Sequence, residues 1–257
     1  RTGLALPLHL KVDTGTNRQG FEVDEVVAAC RRAARLRLDV VGLATHFANI
    51  EDTLEHVFAR RQLDVFERSR ELARAGLGHE PRYIHASCSA AALLFREADF
   101  SLARLGISMY GHWPSRETHL SWILEHGRDN IRLRAVLRWK ALVGQIQRVA
   151  TGETVGYGRT WRALRPTRLA VLPVGYADGY PRCLGNRARV LAHGSLLPVV
   201  GRVCMNILMV DVTDAPEVEV GDEVLLLGGQ GEAAVTAEEL AHLADTINYE
   251  LLARLSP

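Results

Sequence analysis

A chain of 257 residues that is 47% hydrophobic and 24% charged holds enough apolar material for one large or two ordinary packed domains, and is too apolar for a disordered segment. Its 31 Lys+Arg and 30 Asp+Glu leave a formal net charge of +1, so nothing electrostatic argues for a nucleic-acid or membrane-surface partner. No apolar run approaches the ~20 residues of a membrane helix. The four cysteines, Cys30, Cys88, Cys183 and Cys204, are scattered without a C-x-x-C pair, which suits reduced thiols in a cytoplasmic protein and neither a disulfide scaffold nor a zinc site.

In chain order, residues 4–12 (LALPLHLKV) read as a strand, ended by Asp13-Thr14-Gly15-Thr16-Asn17. A helix follows over 23–37, with Val26, Val27, Cys30 and Ala34 at core spacing. Residues 40–46 (VVGLATH) form a second strand and 51–75 an amphipathic helix with Arg and Glu on its outer face. Tyr83-Ile84-His85 is a third strand, leading through Ala86-Ser87-Cys88-Ser89 into an apolar helix. This alternation predicts parallel βαβ units with functional polar residues at the C-terminal strand ends. Composition changes near Asp129. From Arg134 onward the chain reads as many short strands, including 137–149, 168–177, 188–194, 196–212 and 223–229. Turns at 151–153, 177–179 and 220–222 separate them, which predicts a mostly antiparallel β domain, sandwich or barrel. One helix closes it, opened by the capping box Thr236-Ala237-Glu238-Glu239. The expected domains are residues 1–130 and 131–257.

Several places could carry chemistry. Ser87 or Ser89, where the third strand hands over to a helix, could cap that helix or seat a phosphate beside free N–H groups. Gly106, after Arg104, could let the backbone approach an anion or simply make a turn. Lys11 and Arg18 could bind a carboxylate or be surface charges. His46 faces a ligand or a hydrogen-bonded core position. Tyr157 between Gly156 and Gly158, and Tyr176 and Tyr180 in GYADGY, are packed turn aromatics or phenols placed for proton transfer. Gly228-Gly229-Gln230-Gly231 lacks the Lys-Ser/Thr of a P-loop and reads as a hairpin turn. No His/Cys/Asp cluster has metal spacing.

Eight segments in order, LKVDTGTNRQGF (10–21), THFA (45–48), HASCSAA (85–91), RLGISMYG (104–111), TVGYG (154–158), PVGYADGYPR (173–182), VVGRVCMN (199–206) and TINYE (246–250), give the chain a pattern that resembles alanine racemase, a pyridoxal phosphate (PLP) enzyme of fold-type III. The resemblance implies part of a β/α (TIM-like) barrel carrying PLP, followed by a β domain that completes the partner's site in a head-to-tail homodimer. It implies interconversion of L- and D-alanine by two bases, supplying D-alanine for peptidoglycan. His46 would pack on the PLP ring; Ser89, the Gly106 and Ile107 amides and the Tyr249 hydroxyl would hold its phosphate, and Arg104 would face the pyridine nitrogen. Tyr157 would be one acid/base, with Arg18 steering it and the substrate carboxylate. Lys11, as a carbamate, would hold Arg18. The Met205 amide would meet the carboxylate, while Tyr176 and Tyr249 would narrow the entrance.

The family's Schiff-base lysine lies in a motif like K-A-N-A-Y-G-H-G, which is not found here; the chain's lysines are Lys11 and Lys140. The resemblance therefore implies that roughly the first four strands and helices of the barrel are missing. This chain alone is expected to be inactive, as a partial sequence or one half of a split enzyme. Cys88 stands where the family usually has Asn, Leu105 where it has Pro, and Asn206 where it has Asp. The alternatives are a racemase of broader or different specificity, such as serine or lysine, and a non-catalytic PLP-binding or dimerising fragment.

Overall fold

The computed structural model describes residues 6–255; Leu4 and Ala5 of the first predicted strand lie outside them. The chain divides into a unit ending at Arg134 and a unit beginning at Ala135. In the first, strands β1 (Pro7–Lys11), β2 (Asp39–Ala44) and β3 (Tyr83–His85) form a parallel sheet in chain order. Helix α1 (Val26–Arg35) connects β1 to β2, and α2 (Val57–Leu77) connects β2 to β3. This is the βαβ pattern that the hydrophobic periodicity predicts. The β1–β2 ladder is irregular: Leu8 lies opposite Val40 but His9 opposite Gly42, so Val41 is a bulge. Leu43 and Ile84 point to the side covered by Val26 and Cys30 of α1 and Phe66 of α2, where this unit's core lies. By alternation His9, Lys11, Gly42, Tyr83 and His85 belong to the opposite face.

Three boundaries differ from expectation. The first helix opens with a 3-10 turn at Val23–Glu25, and its buried stripe is Val26, Cys30 and Ala33, while Val27 is half-buried and Ala34 exposed. That is i, i+4, i+7 spacing, a better fit to 3.6 residues per turn. The second helix begins at Val57 and not at 51, because the Thr53 hydroxyl accepts from the Glu55 amide at 2.9 Å and holds a turn there. It ends on the left-handed Gly78. Helices α3 (Ser89–Leu94) and α4 (Arg116–His126) complete the unit, α4 being unforeseen.

The second unit holds β4 (Trp139–Leu142), β5 (Gln145–Val149), β6 (Thr154–Val155), β7 (Trp161–Arg162), β8 (Thr167–Leu172), β9 (Arg189–Ala192), β10 (Ser195–Val200), β11 (Leu208–Asp211), β12 (Glu223–Gln230) and β13 (Ala233–Val235). Eight of them form an antiparallel sheet in the order β13-β12-β9-β10-β11-β8-β5, with β4 also on β12, and β6–β7 is a separate hairpin. The expected hairpin at 228–231 is present, with Gln230 opposite Ala233. Leu172, Leu191, Leu208, Leu226 and Leu240 are fully or almost fully buried in its core. Two helices follow where one was expected, α5 (Ala237–Leu243) and α6 (Asn248–Ala253), divided at Asp245, whose φ is +58°. Thr236 caps α5 by accepting from the Glu239 amide at 3.1 Å; Glu239 pairs with Arg189 at 3.1 Å, so half of the predicted box is closed. No helix of the described residues is long and apolar enough to cross a membrane.

Candidate functional site

In the first unit, polar side chains gather at the C-terminal strand ends, as parallel β/α architecture predicts. Arg104 is their hub. Its Nη2 donates to the carbonyls of Thr45 (2.7 Å) and Ala86 (3.3 Å) and lies 3.3 Å from His46 Nδ1. Its Nη1 donates to the His85 carbonyl at 3.1 Å and meets His85 Nδ1 in a short hydrogen bond. Among the described residues its Nε–H makes no hydrogen bond. Burial pushes the Arg104 pKa down from its ordinary value.

His46 is half-buried just past β2, its backbone anchored from two sides. The His46 carbonyl accepts from the Thr16 hydroxyl at 2.8 Å and from Gln62 Nε2 at 3.3 Å, Gln62 being a buried residue of α2. Burial, then Arg104, Arg18 and Lys11, lower the His46 pKa. The ring is therefore biased toward the neutral form, and Nδ1 serves as acceptor to an arginine that can only donate.

Neither serine caps α3. The Ser87 hydroxyl donates to the Ala98 carbonyl at 2.8 Å, and the helix N-cap is Cys88, which makes no side-chain cap bond. Ser89 Oγ, buried, accepts from the Gly106 amide at 2.9 Å and the Ser108 amide at 3.4 Å. A Cβ on Gly106 would stand 3.8 Å from that hydroxyl, so the glycine leaves open the space beside it. The Ser108 hydroxyl is itself buried and without a hydrogen-bond partner among the described residues.

Lys11 ends β1, opposite Ala44. Arg18 sits on a loop folded around Asp13: Oδ1 accepts from the amides of Gly15 (2.9 Å), Thr16 (2.9 Å) and Asn17 (3.0 Å), and Oδ2 from that of Arg18 (2.8 Å). Burial alone would raise the Asp13 carboxyl, but the four N–H donors outweigh it and hold its pKa at about 2. The DTG turn signature was legible in the sequence, although its role in placing Arg18 was not drawn from it.

In the second unit, Tyr157 follows β6 between two left-handed glycines, Gly156 (φ +71°) and Gly158 (φ +72°), and is 72% exposed. Met205 and Tyr176 are linked through backbone: the Tyr176 amide donates to the Cys204 carbonyl at 3.0 Å and the Ala177 amide to that of Met205 at 2.8 Å. Tyr157, Tyr176 and Met205 line one cleft of about 390 Å³, together with Arg182 and Arg202, which sequence reasoning passed over. Tyr249 belongs to α6 of the same unit.

Residues 1–114 match the family model of the alanine racemase N-terminal domain and residues 136–257 that of the C-terminal domain, leaving 115–135 between them. The chain is 39% identical over 249 residues to an alanine racemase of Leptospira interrogans, covering 97% of this chain and 64% of the relative. It is 42% identical over 258 residues to that of Symbiobacterium thermophilum, covering 100% and 65%. Similar solved structures include alanine racemase of Bacillus anthracis with bound L-Ala-P (TM-score 0.85, 32% identity, 96% of this chain and 62% of that one). That of the D-cycloserine producer Streptomyces lavendulae gives a TM-score of 0.87 at 33% identity, covering 99% and 65%. The chain thus spans 64% of the length of the first of these relatives. Neither the N-terminal-domain match nor these relatives support the expectations of a missing N-terminal part and of a non-catalytic fragment. The fold class is that of these structures, a β/α barrel part and an antiparallel β domain. With its two units matched in order by the two alanine racemase domain models, the chain belongs to the alanine racemase family.

Proposed function

We propose that the protein containing this chain is a cytoplasmic, PLP-dependent racemase that interconverts L- and D-alanine as a head-to-tail homodimer, supplying D-alanine for peptidoglycan. The observation that carries the reading is the state of Arg104, whose two Nη groups are committed to protein acceptors while Nε–H remains to meet a ligand's acceptor. The buried, unpartnered Ser108 hydroxyl and the open space beside Gly106 fit a phosphate group at Ser89. When bound, PLP supplies an electron-withdrawing ring that stabilises negative charge at an amino acid's Cα.

The chain's own residues then have separate tasks. Arg104 would offer its Nε–H to the ring nitrogen of PLP and, because a guanidinium keeps its proton, would supply none to that nitrogen, moderating the electron withdrawal the cofactor provides. Such moderation would disfavour side reactions such as transamination. His46 would pack on the ring, and Ser89, the Gly106 and Ile107 amides and the Tyr249 hydroxyl would hold the phosphate. Tyr157 moves a proton at Cα from one face as one of two bases, since inversion needs removal on one side and return on the other. Arg18, placed by Asp13 and held by Lys11 as a carbamate, steers Tyr157 and the substrate carboxylate. The Met205 amide meets that carboxylate, and Tyr176 and Tyr249 narrow the entrance to suit a small side chain.

The test is D-alanine formation from L-alanine by the full-length protein with PLP. Tyr157→Phe should lower turnover by at least ~100-fold, the usual worth of a positioned acid/base, with PLP still bound. Near-normal turnover in that variant removes Tyr157 from the chemistry. Turnover of serine or lysine in place of alanine refutes the substrate assignment.

A further inference from the structure

We propose that Arg104, His85 and His9 form a one-way hydrogen-bond chain in which both imidazoles are neutral and carry their proton on Nε2, and that this chain positions the Arg104 guanidinium. The argument begins with arginine, which has five donors and no acceptor. The nitrogen that meets Arg104 Nη1, His85 Nδ1, must therefore accept. A neutral imidazole with an accepting Nδ1 bears its proton on Nε2. His85 Nε2 lies 2.6 Å from His9 Nδ1, so that proton is donated to His9, whose own proton is then on Nε2. A further proton on either ring would face a donor across one of these contacts.

The sheet is built to allow the chain. His9 is on β1 and His85 on β3, with β2 between them. Gly42 of β2 lies opposite both His9 and Tyr83. A Cβ on Gly42 would come within 2.4 Å of His9 Nδ1, so the His9 ring crosses the central strand in the room the glycine leaves. Beyond it the ring stacks on Tyr83, with centroids 5.7 Å apart and planes 11° from parallel. Arg82 in turn lies over Tyr83, its guanidinium carbon 5.1 Å from the ring centre. The groups that act on His85 are its own burial first, then Arg104 and His9, and together they hold its pKa at about 4. Lys11 shares the same sheet face, in register with Ala44 and His85. Arg104 is thus gripped through Nη1 by an imidazole whose acceptor lone pair is guaranteed by the next imidazole, and through Nη2 by Thr45, Ala86 and His46.

The role given to Arg104 rests on the cofactor reading above, whereas the tautomers do not, and the tests separate the two. Histidine side-chain 1H–15N spectra of the protein at neutral pH should show His85 and His9 protonated at Nε2 and bare at Nδ1. A proton on Nδ1 of either ring overturns the chain. Gly42→Ala should displace the His9 ring and break the His9–His85 coupling while His85 keeps its tautomer, because Arg104 sets it. Arg104→Leu should release that tautomer and move the His85 titration upward; an unchanged titration overturns the proposal. PLP affinity supplies the positioning readout. His85→Leu should weaken binding by roughly tenfold, the order that partners behind a ligating side chain contribute. His85→Asn, which keeps an acceptor where Nδ1 stands, should recover most of it; equal affinity in all three forms overturns the positioning role. Correct tautomers in a protein that binds no PLP and forms no D-alanine support the chain and refute the function proposed for the site.

Discussion

His85 and Asp13 write separate signatures into the acid side of the stability curve. Folded His85 titrates at about 4 against an ordinary 6.5, so between those values the unfolded chain binds more protons. Its contribution is complete above 6.5 and fades as the pH falls toward 4. Asp13, at about 2 against 3.8, contributes fully above 3.8 and loses this only as the pH falls toward 2. Urea unfolding midpoints measured across pH should therefore flatten in the upper window for His85→Gln and in the lower one for Asp13→Asn. A variant that changes the other window refutes the assignment. Tyr180 offers a third case: fully buried, its hydroxyl has no partner among the described residues, and burial, then the Glu239 charge, raise its pKa. A buried polar group without a partner costs about 1–3 kcal/mol, so Tyr180→Phe should be neutral or stabilising in thermal unfolding. Residue types in motifs were legible in the sequence; partnerships were not. His9 and His85 are 76 positions apart, and no local pattern in a strand announces a partner so distant.

At the scale of elements, the loop carrying Tyr157 is the one most exposed to backbone chemistry. Gly158 has φ +72°, and a Cβ there would stand 2.7 Å from Arg202 Nη1. Gly158→Ala should cost about 1–3 kcal/mol in unfolding, the usual price of a side chain held in a left-handed conformation, and should lower D-alanine formation more than it lowers PLP binding. An unstrained, fully active Gly158→Ala would show that the loop has another conformation. The strands and the first two helices were readable because their apolar spacing is regular. Helix α4 was not, since Thr118 is its one buried residue among the eleven described and its Leu, Trp and Ile residues mark no single face. Its ends carried the local signals, the Ser115 hydroxyl accepting from the Thr118 amide at 2.9 Å and the left-handed Gly127. The break between α5 and α6 was also hidden, because it falls on Asp245 in a left-handed conformation and not on a glycine or proline.

At the scale of the molecule, each unit has its own core, one around Phe66 and Leu43, the other around Leu172, Leu191 and Leu226. Residues 135–257, produced alone, should unfold in a single cooperative transition, since the antiparallel sheet and α5 close their own apolar interior. A gradual, probe-dependent melt in denaturant would show that this interior depends on something outside the unit. The first unit should behave differently: among the described residues β1 and β3 each pair only with β2, and strands with a free edge invite association. Sedimentation of residues 6–134 should show self-association. The β/α-then-β order was legible from alternating patterns, because each element must bury one face. The pairing order β13-β12-β9-β10-β11-β8-β5 was not, because antiparallel strands of similar composition fit many neighbours.

The bulge at Val41 makes the sheet's geometry and the imidazole pair one inheritance. In an unbroken ladder His9 would stand beside Val41, whose branched side chain would fill the corridor the ring passes through. One extra residue in the middle strand swaps that obstruction for bare backbone. Placing a branched side chain at Gly42 would leave three strands able to pair, yet would shut the passage from His9 to His85 without touching either histidine.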